Sequence, residues 1–213
     1  MEHLPREKEA AWLAGVAAAI EIVLHCPLRI ENLAGLRIGQ HLLAEGSRTG
    51  RITHLRIMPE STKNEVLIEW PIGRETSAFL DRYIREFRPL LQHAGGDWLF
   101  PARNGADMGR RKGGLAVAMK HEIHRAIGVA MNVHLFRAFA GALILEDNPH
   151  AVEDLRLVLG HKGLEMALMY YARFNQGAAA KRLDAIVTGK RKETRLVAQA
   201  AFRRSGGFRQ GGR

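Results

Sequence analysis

A chain of 213 residues, 46% hydrophobic, can bury one sizeable core but not two large ones. Its single cysteine, Cys26, excludes an intramolecular disulfide and fits a reducing cytoplasm. No apolar run approaches the roughly 18 residues that span a bilayer, and the first apolar patch lacks the basic start and cleavage site of a signal peptide. A net charge of +10 and a pI near 10.3 imply a polyanionic partner, but residues 181–213 carry +8 of that excess, so the body is nearly neutral.

In chain order, Pro5 to Leu24 is rich in helix formers, and Trp12, Leu13, Val16, Ile20 and Val23 recur as one buried face would. Cys26-Pro27 should stop this helix, because proline disfavours helical geometry in the residue before it. A short apolar face follows at Ile30, Leu33 and Ala34, with Arg29 at its start. Arg51 to Ile57 and Val66 to Pro71 read as two strands, joined by a turn-rich segment that carries Thr62-Lys63-Asn64. Gly73 to Gln92 reads as a helix with Phe79, Leu80, Tyr83, Ile84, Phe87 and Leu91 on a face and Arg82, Arg85 and Arg88 off it. Trp98 to Pro101 reads as a short buried segment. Arg110-Arg111-Lys112 is a basic triplet, suited to phosphates or simply to solvent. In the helix from Leu115 to Ile127, His121 and His124 stand three apart, not the four of the zinc-protease motif, so they are expected on the helix surface with no metal.

The segment from His134 to Tyr171 is the densest in chemistry. Helices are expected at Leu135 to Glu146, Ala151 to Leu159, Leu164 to Tyr171 and Gln176 to Val187, with Asn148-Pro149 as a break and Gly160 free to take a positive φ. His134 and Arg137, three apart, should share a helix face. Leu159-Gly160-His161 follows, and Tyr170 comes nine residues after His161. Tyr171 is adjacent, but neighbouring helical side chains diverge by roughly 100°, so only one can face a given ligand; the spacing favours Tyr170. Histidine, arginine, histidine and tyrosine suit attack of a tyrosine oxygen on a phosphodiester held by cationic and neutral donors. There is no nucleotide-type phosphate loop and no dinucleotide fingerprint, so no cofactor is expected.

The pattern His-x-x-Arg, Leu-Gly-His, then tyrosine nine residues on resembles the catalytic domain of the tyrosine recombinases, the phage integrase family, over about residues 5–188. In that family the first catalytic arginine precedes a Glu-Leu pair and a further leucine. Arg29, Leu33 and Leu36 match, with Glu31 displaced by one position. The family's hairpin lysine is matched by Lys63. Ala138 stands where a second histidine often follows the arginine. The resemblance implies an α+β fold, mainly helical, with a small antiparallel β-sheet on one side. It divides the chain into a catalytic domain, 1–188, and a basic Gly/Arg-rich tail, 189–213, expected to lack order off DNA, with the family's N-terminal DNA-clamping domain absent. It further implies a cytoplasmic site-specific DNA recombinase that forms a covalent 3′-phosphotyrosine without ATP or metal, its partners double-stranded DNA and further copies of itself as a tetramer on paired sites. Arg29 and Arg137 would hold the phosphate with His161, His134 would relay a proton, Lys63 would protonate the leaving oxygen and Tyr170 would be the nucleophile. A non-catalytic DNA-binding protein on the same fold and a type IB topoisomerase are the alternatives.

Overall fold

Helix α1, Arg6–His25, buries Ala11, Gly15, Val16, Ala18, Ala19, Ile22 and Val23, whereas Trp12, Leu13 and Ile20 are only half-buried. The buried side is therefore rotated away from the large residues towards the small ones. The reason is close approach: a Cβ at Gly15 would sit 3.0 Å from the Tyr83 Oη, and that buried tyrosine donates its hydroxyl to the Leu99 carbonyl at 3.0 Å. This is a computed structural model; it describes residues 6–44, 50–91, 96–102, 109–148, 150–160, 184–197 and 199–200. The chain falls into two compact units, Met1–Leu168 and Met169–Arg213.

In the first unit α1 ends at Cys26-Pro27, as expected, and Arg29 becomes the N-cap of a short helix, α2, Ile30–Ala34. An antiparallel sheet of order β1-β2-β3 follows: β1 Leu42–Ala44, β2 Ile52–Ile57 and β3 Ile68–Pro71. Leu55 pairs with both Leu42 and Trp70, and a bulge shifts the register at Leu43/Ala44. β2 and β3 are the two expected strands; β1, at three residues, is too short for an alternation to show in sequence.

The expected helix from Gly73 to Gln92 is three pieces. α3, Arg74–Arg82, runs into a π-turn at Tyr83–Phe87 and a 3₁₀ turn at Arg88–Leu90. The wider turn changes the facing of everything after it. Arg88, expected off the buried face, is in fact buried, its Nε donating to the Trp98 carbonyl and its Nη2 to the Gly96 carbonyl, both at 2.7 Å. Phe79, expected on that face, is exposed.

The basic triplet divides in the same way. Arg110 is buried with its guanidinium 5.2 Å from the Trp12 ring, so it packs the body together, while Arg111 and Lys112 are exposed. α4, Lys112–Ile127, buries Leu115, Ala118, Met119 and Ile123 and ends at Gly128 with φ +72. His121 and His124 are exposed on it, and no group of three or more metal-binding side chains occurs among the described residues. α5, Val133–Asp147, is capped by Asn132, whose side chain accepts from the Leu135 N–H at 3.0 Å. α6, Val152–Val158, packs so closely on it that a Cβ at Gly141 would lie 2.9 Å from the Leu155 Cδ1. The core joins α1, α2, the sheet, Tyr83, Leu99, Phe100, α4 and the start of α5.

In the second unit a helix, α7, covers 184–197. It continues well past the expected end near Val187, through Gly189. No described helix is long and apolar enough to cross a membrane.

Candidate active site

Arg29 owes its place to the α1–α2 junction. Pro27 forbids α1 from continuing, and Arg29 adopts extended geometry (φ −69°, ψ 151°) before α2 begins. Its side chain lines a cavity of about 280 Å³ together with Arg137, Asn32, Asn64 and Gly160.

Arg137 forms the floor. It is 7% exposed, and its guanidinium donates to the Pro27 carbonyl through Nη1 and to the Leu159 carbonyl through Nη2, both at 2.5 Å. Leu159 caps α6, so its carbonyl is one of those a helix end leaves without an internal partner, at the negative end of the helix dipole. One side chain thus ties α5, α6 and the junction that presents Arg29. Behind it, burial pushes the Cys26 thiol up to about 12, against the pull of the Arg137 charge. The cysteine is a buried small hydrophobe, as its position before Pro27 suggests.

The opposite wall is the turn between β2 and β3. After a 3₁₀ turn at Pro59–Ser61, Thr62 is buried, and its hydroxyl accepts from the Val66 N–H at 2.9 Å with the Pro59 carbonyl 3.0 Å away. Glu65 closes the turn in the left-handed region, φ +49. Lys63 stands exposed at the tip. Next to it, Asn64 donates through Nδ2 to the Gly160 carbonyl at 2.7 Å, a contact across 96 residues. Gly160 takes the expected positive φ, +56.

Of the six expected residues, Arg29 and Arg137 line the one cavity, and Lys63 stands on the turn that forms its wall. His134 is exposed in the first turn of α5 and does not line it. His161 and Tyr170 lie outside the described residues, the first directly after Gly160.

Three further residues at or near the cavity were not among the six expected ones. Asn64 carries the clip to Gly160. Asn32 lines the cavity, and its buried Nδ2 has no hydrogen-bond partner among the described residues. Glu31 pairs with Lys112 at 2.9 Å, tying α2 to the start of α4, and that hydrogen bond holds its carboxyl below the ordinary range, with Lys63 adding a smaller pull. Only the displacement of Glu31 from its expected position hinted that this contact differs.

Chemically, the cavity is lined by two side chains that are always cationic, Arg29 and Arg137, and Lys63 stands exposed on the turn that forms its wall. The chain matches the family described as Phage integrase family over residues 1–177. It is 29% identical over 154 residues to tyrosine recombinase XerD of Pseudomonas aeruginosa, covering 71% of this chain and 47% of that protein. To XerD of Pseudomonas putida it is 30% identical over 156 residues, covering 72% and 48%. Among solved structures, the XerH site-specific recombinase in its pre-cleavage complex with difH substrate superposes with a TM-score of 0.60 at 19% identity, covering 84% of this chain and 47% of that one. The chain spans about half the length of the curated relatives it matches. The fold is that of tyrosine recombinase catalytic domains.

Proposed function

The chain belongs to the phage integrase family, and on that footing we propose that it is a site-specific DNA recombinase acting through a tyrosine nucleophile. The support is the single cavity whose wall holds Arg29, Arg137, the turn of Lys63 and the residue before His161. Two arginines suit a scissile phosphate because a guanidinium is always charged and grips two oxygens in one plane. His161 adds a donor to the same oxygens.

In the reaction, the Tyr170 oxygen forms a bond to phosphorus and gives its proton to His134. The bond from phosphorus to the 5′ oxygen breaks, and that oxygen takes a proton from Lys63. The 3′-phosphotyrosine conserves the phosphoester, so attack by the 5′ hydroxyl of another strand reverses the step and releases tyrosine. Double-stranded DNA is the substrate, and four copies on paired sites would exchange the strands. Residues 1–188 form the catalytic domain and 189–213 a basic extension in the same proposal.

A second reading, a non-catalytic DNA-binding protein on this fold, is favoured by one observation: both terminal nitrogens of Arg137 are engaged by backbone carbonyls. A nicked suicide substrate separates the two. The wild type is expected to leave a covalent adduct on an SDS gel that Tyr170→Phe abolishes and Tyr171→Phe retains. DNA binding with no adduct from any of the three would sink the catalytic proposal and leave the second reading.

A further inference from the structure

Helix α7, residues 184–197, presents two different sides, both exposed among the described residues. Ile186, Leu196 and Val197 are each more than 60% exposed and fall within one arc at 100° per residue. Arg191, Lys192 and Arg195 fall within an arc of about 100° on the other side, where 1.5 Å of rise per residue sets Arg191 and Arg195 about 6 Å apart along the axis. Two acids lie in this helix. Glu193 is engaged by Lys190 at 3.1 Å, and Asp184 sits at the far end. Among the described residues, Arg191, Lys192 and Arg195 have no ion-pair partner, and all three are exposed.

We propose that this basic side of α7 is a second DNA contact, made to phosphates of the duplex backbone other than the reacting one. It rests on the DNA reading above and adds a particular set of side chains to it. Three uncompensated cations on one side of a helix repel one another by a few tenths of a kcal/mol per close pair, and a polyanion relieves this while releasing its own counterions. The charge is also where the molecule has it to spare: residues 181–213 carry +8, whereas the unit with the cavity is nearly balanced. A basic amphipathic helix could instead lie on an anionic membrane. The described apolar side argues for DNA over a bilayer, because it has no aromatic residue and is interrupted by Gly189 and Glu193.

Counterion release makes the test quantitative. Each phosphate neutralised contributes about 0.9 to the slope of log affinity against log salt on duplex DNA. The full chain and its R191Q/K192Q/R195Q variant are titrated by fluorescence anisotropy on a 30-base-pair duplex from 50 to 300 mM salt, with circular dichroism to check helix content. The variant is expected to lose roughly 2 to 3 units of slope and at least tenfold in affinity at 100 mM salt. Arg191→Lys with Arg195→Lys should keep the slope, and Leu196→Gln with Val197→Gln should leave it unchanged. A slope and affinity equal to wild type in the triple variant would overturn the proposal, as would tighter binding to phosphatidylserine vesicles than to duplex that the triple variant alone loses. The adduct assay reports independently: a slope lost in the triple variant without any wild-type adduct keeps this contact and removes the catalytic reading.

Discussion

The two walls of the cavity are built on opposite principles. On one side Arg137 is buried, bonded at both ends, and inseparable from the junction that carries Arg29. On the other, Lys63 is exposed at the tip of a turn whose order comes from its neighbours, Thr62 and Asn64. The difference suits the roles these groups have in the proposed mechanism. Charge that stabilises a phosphate is most effective when fixed in place beforehand, since a preorganised donor has no reorganisation to undergo during the reaction. A proton donor must approach a leaving atom, and a long side chain on a braced turn keeps that freedom.

Substitutions can break the contrast, starting with the deep wall. Arg137→Ala should destabilise the protein by about 3 kcal/mol, because it removes two charge-assisted hydrogen bonds and leaves the Pro27 and Leu159 carbonyls unmet in the interior. Urea unfolding measures it, and a loss under about 0.5 kcal/mol would show that the guanidinium is not what joins α5, α6 and the α1–α2 junction. Thr62→Val keeps the shape of the turn but deletes the acceptor of the Val66 N–H, so a loss of about 1 kcal/mol is expected in the same measurement. Lys63→Ala should change stability by less than about 0.5 kcal/mol while lowering the rate of adduct formation roughly 100-fold or more, in the range of a lost general acid. A large stability change there would mean that the lysine braces the turn and would erase the distinction between the walls.

The smallest effect concerns pH. Because the folded state holds the Cys26 proton to about 12 while an unfolded thiol releases it near 9.0, the unfolded chain binds fewer protons in between, and stability falls as pH rises through that window. Comparing wild type with Cys26→Ala by urea unfolding at pH 7.5 and 9.5 isolates the term: the wild type should lose more of its stability than the variant. The same burial makes the thiol unreactive towards a maleimide until the protein unfolds.

How much of this was legible in the sequence depends on the range of the interaction. α1, α2, the two longer strands and the Gly160 turn were readable, because a proline, an alternation or a glycine at a helix end acts within a few residues. Arg29 and Arg137 could be picked out by motif, and the cavity brings them together. The buried side of α1 could not be read: amphipathic periodicity points to Trp12 and Leu13, whereas the actual side is set by how near Tyr83 approaches Gly15. Arg88 looked like a solvated charge, and Arg110 like a phosphate-binding or solvated one, for the same reason. The carbonyls and the tryptophan ring that bury them lie eight to nearly a hundred residues away, beyond any local pattern. The π-turn at Tyr83–Phe87, after which Arg88 faces an unexpected side, has no residue signature at all.

The clip from Asn64 to the Gly160 carbonyl has a consequence for timing. It fastens the lysine turn, from the first half of the chain, to the residue immediately before His161. A displacement of the turn by even an ångström must stretch that bond or carry the backbone of Gly160 along with it. In the proposed mechanism, supply of the proton and support of the phosphate oxygens would thereby share a common clock, the two walls arming and disarming as one event rather than in sequence.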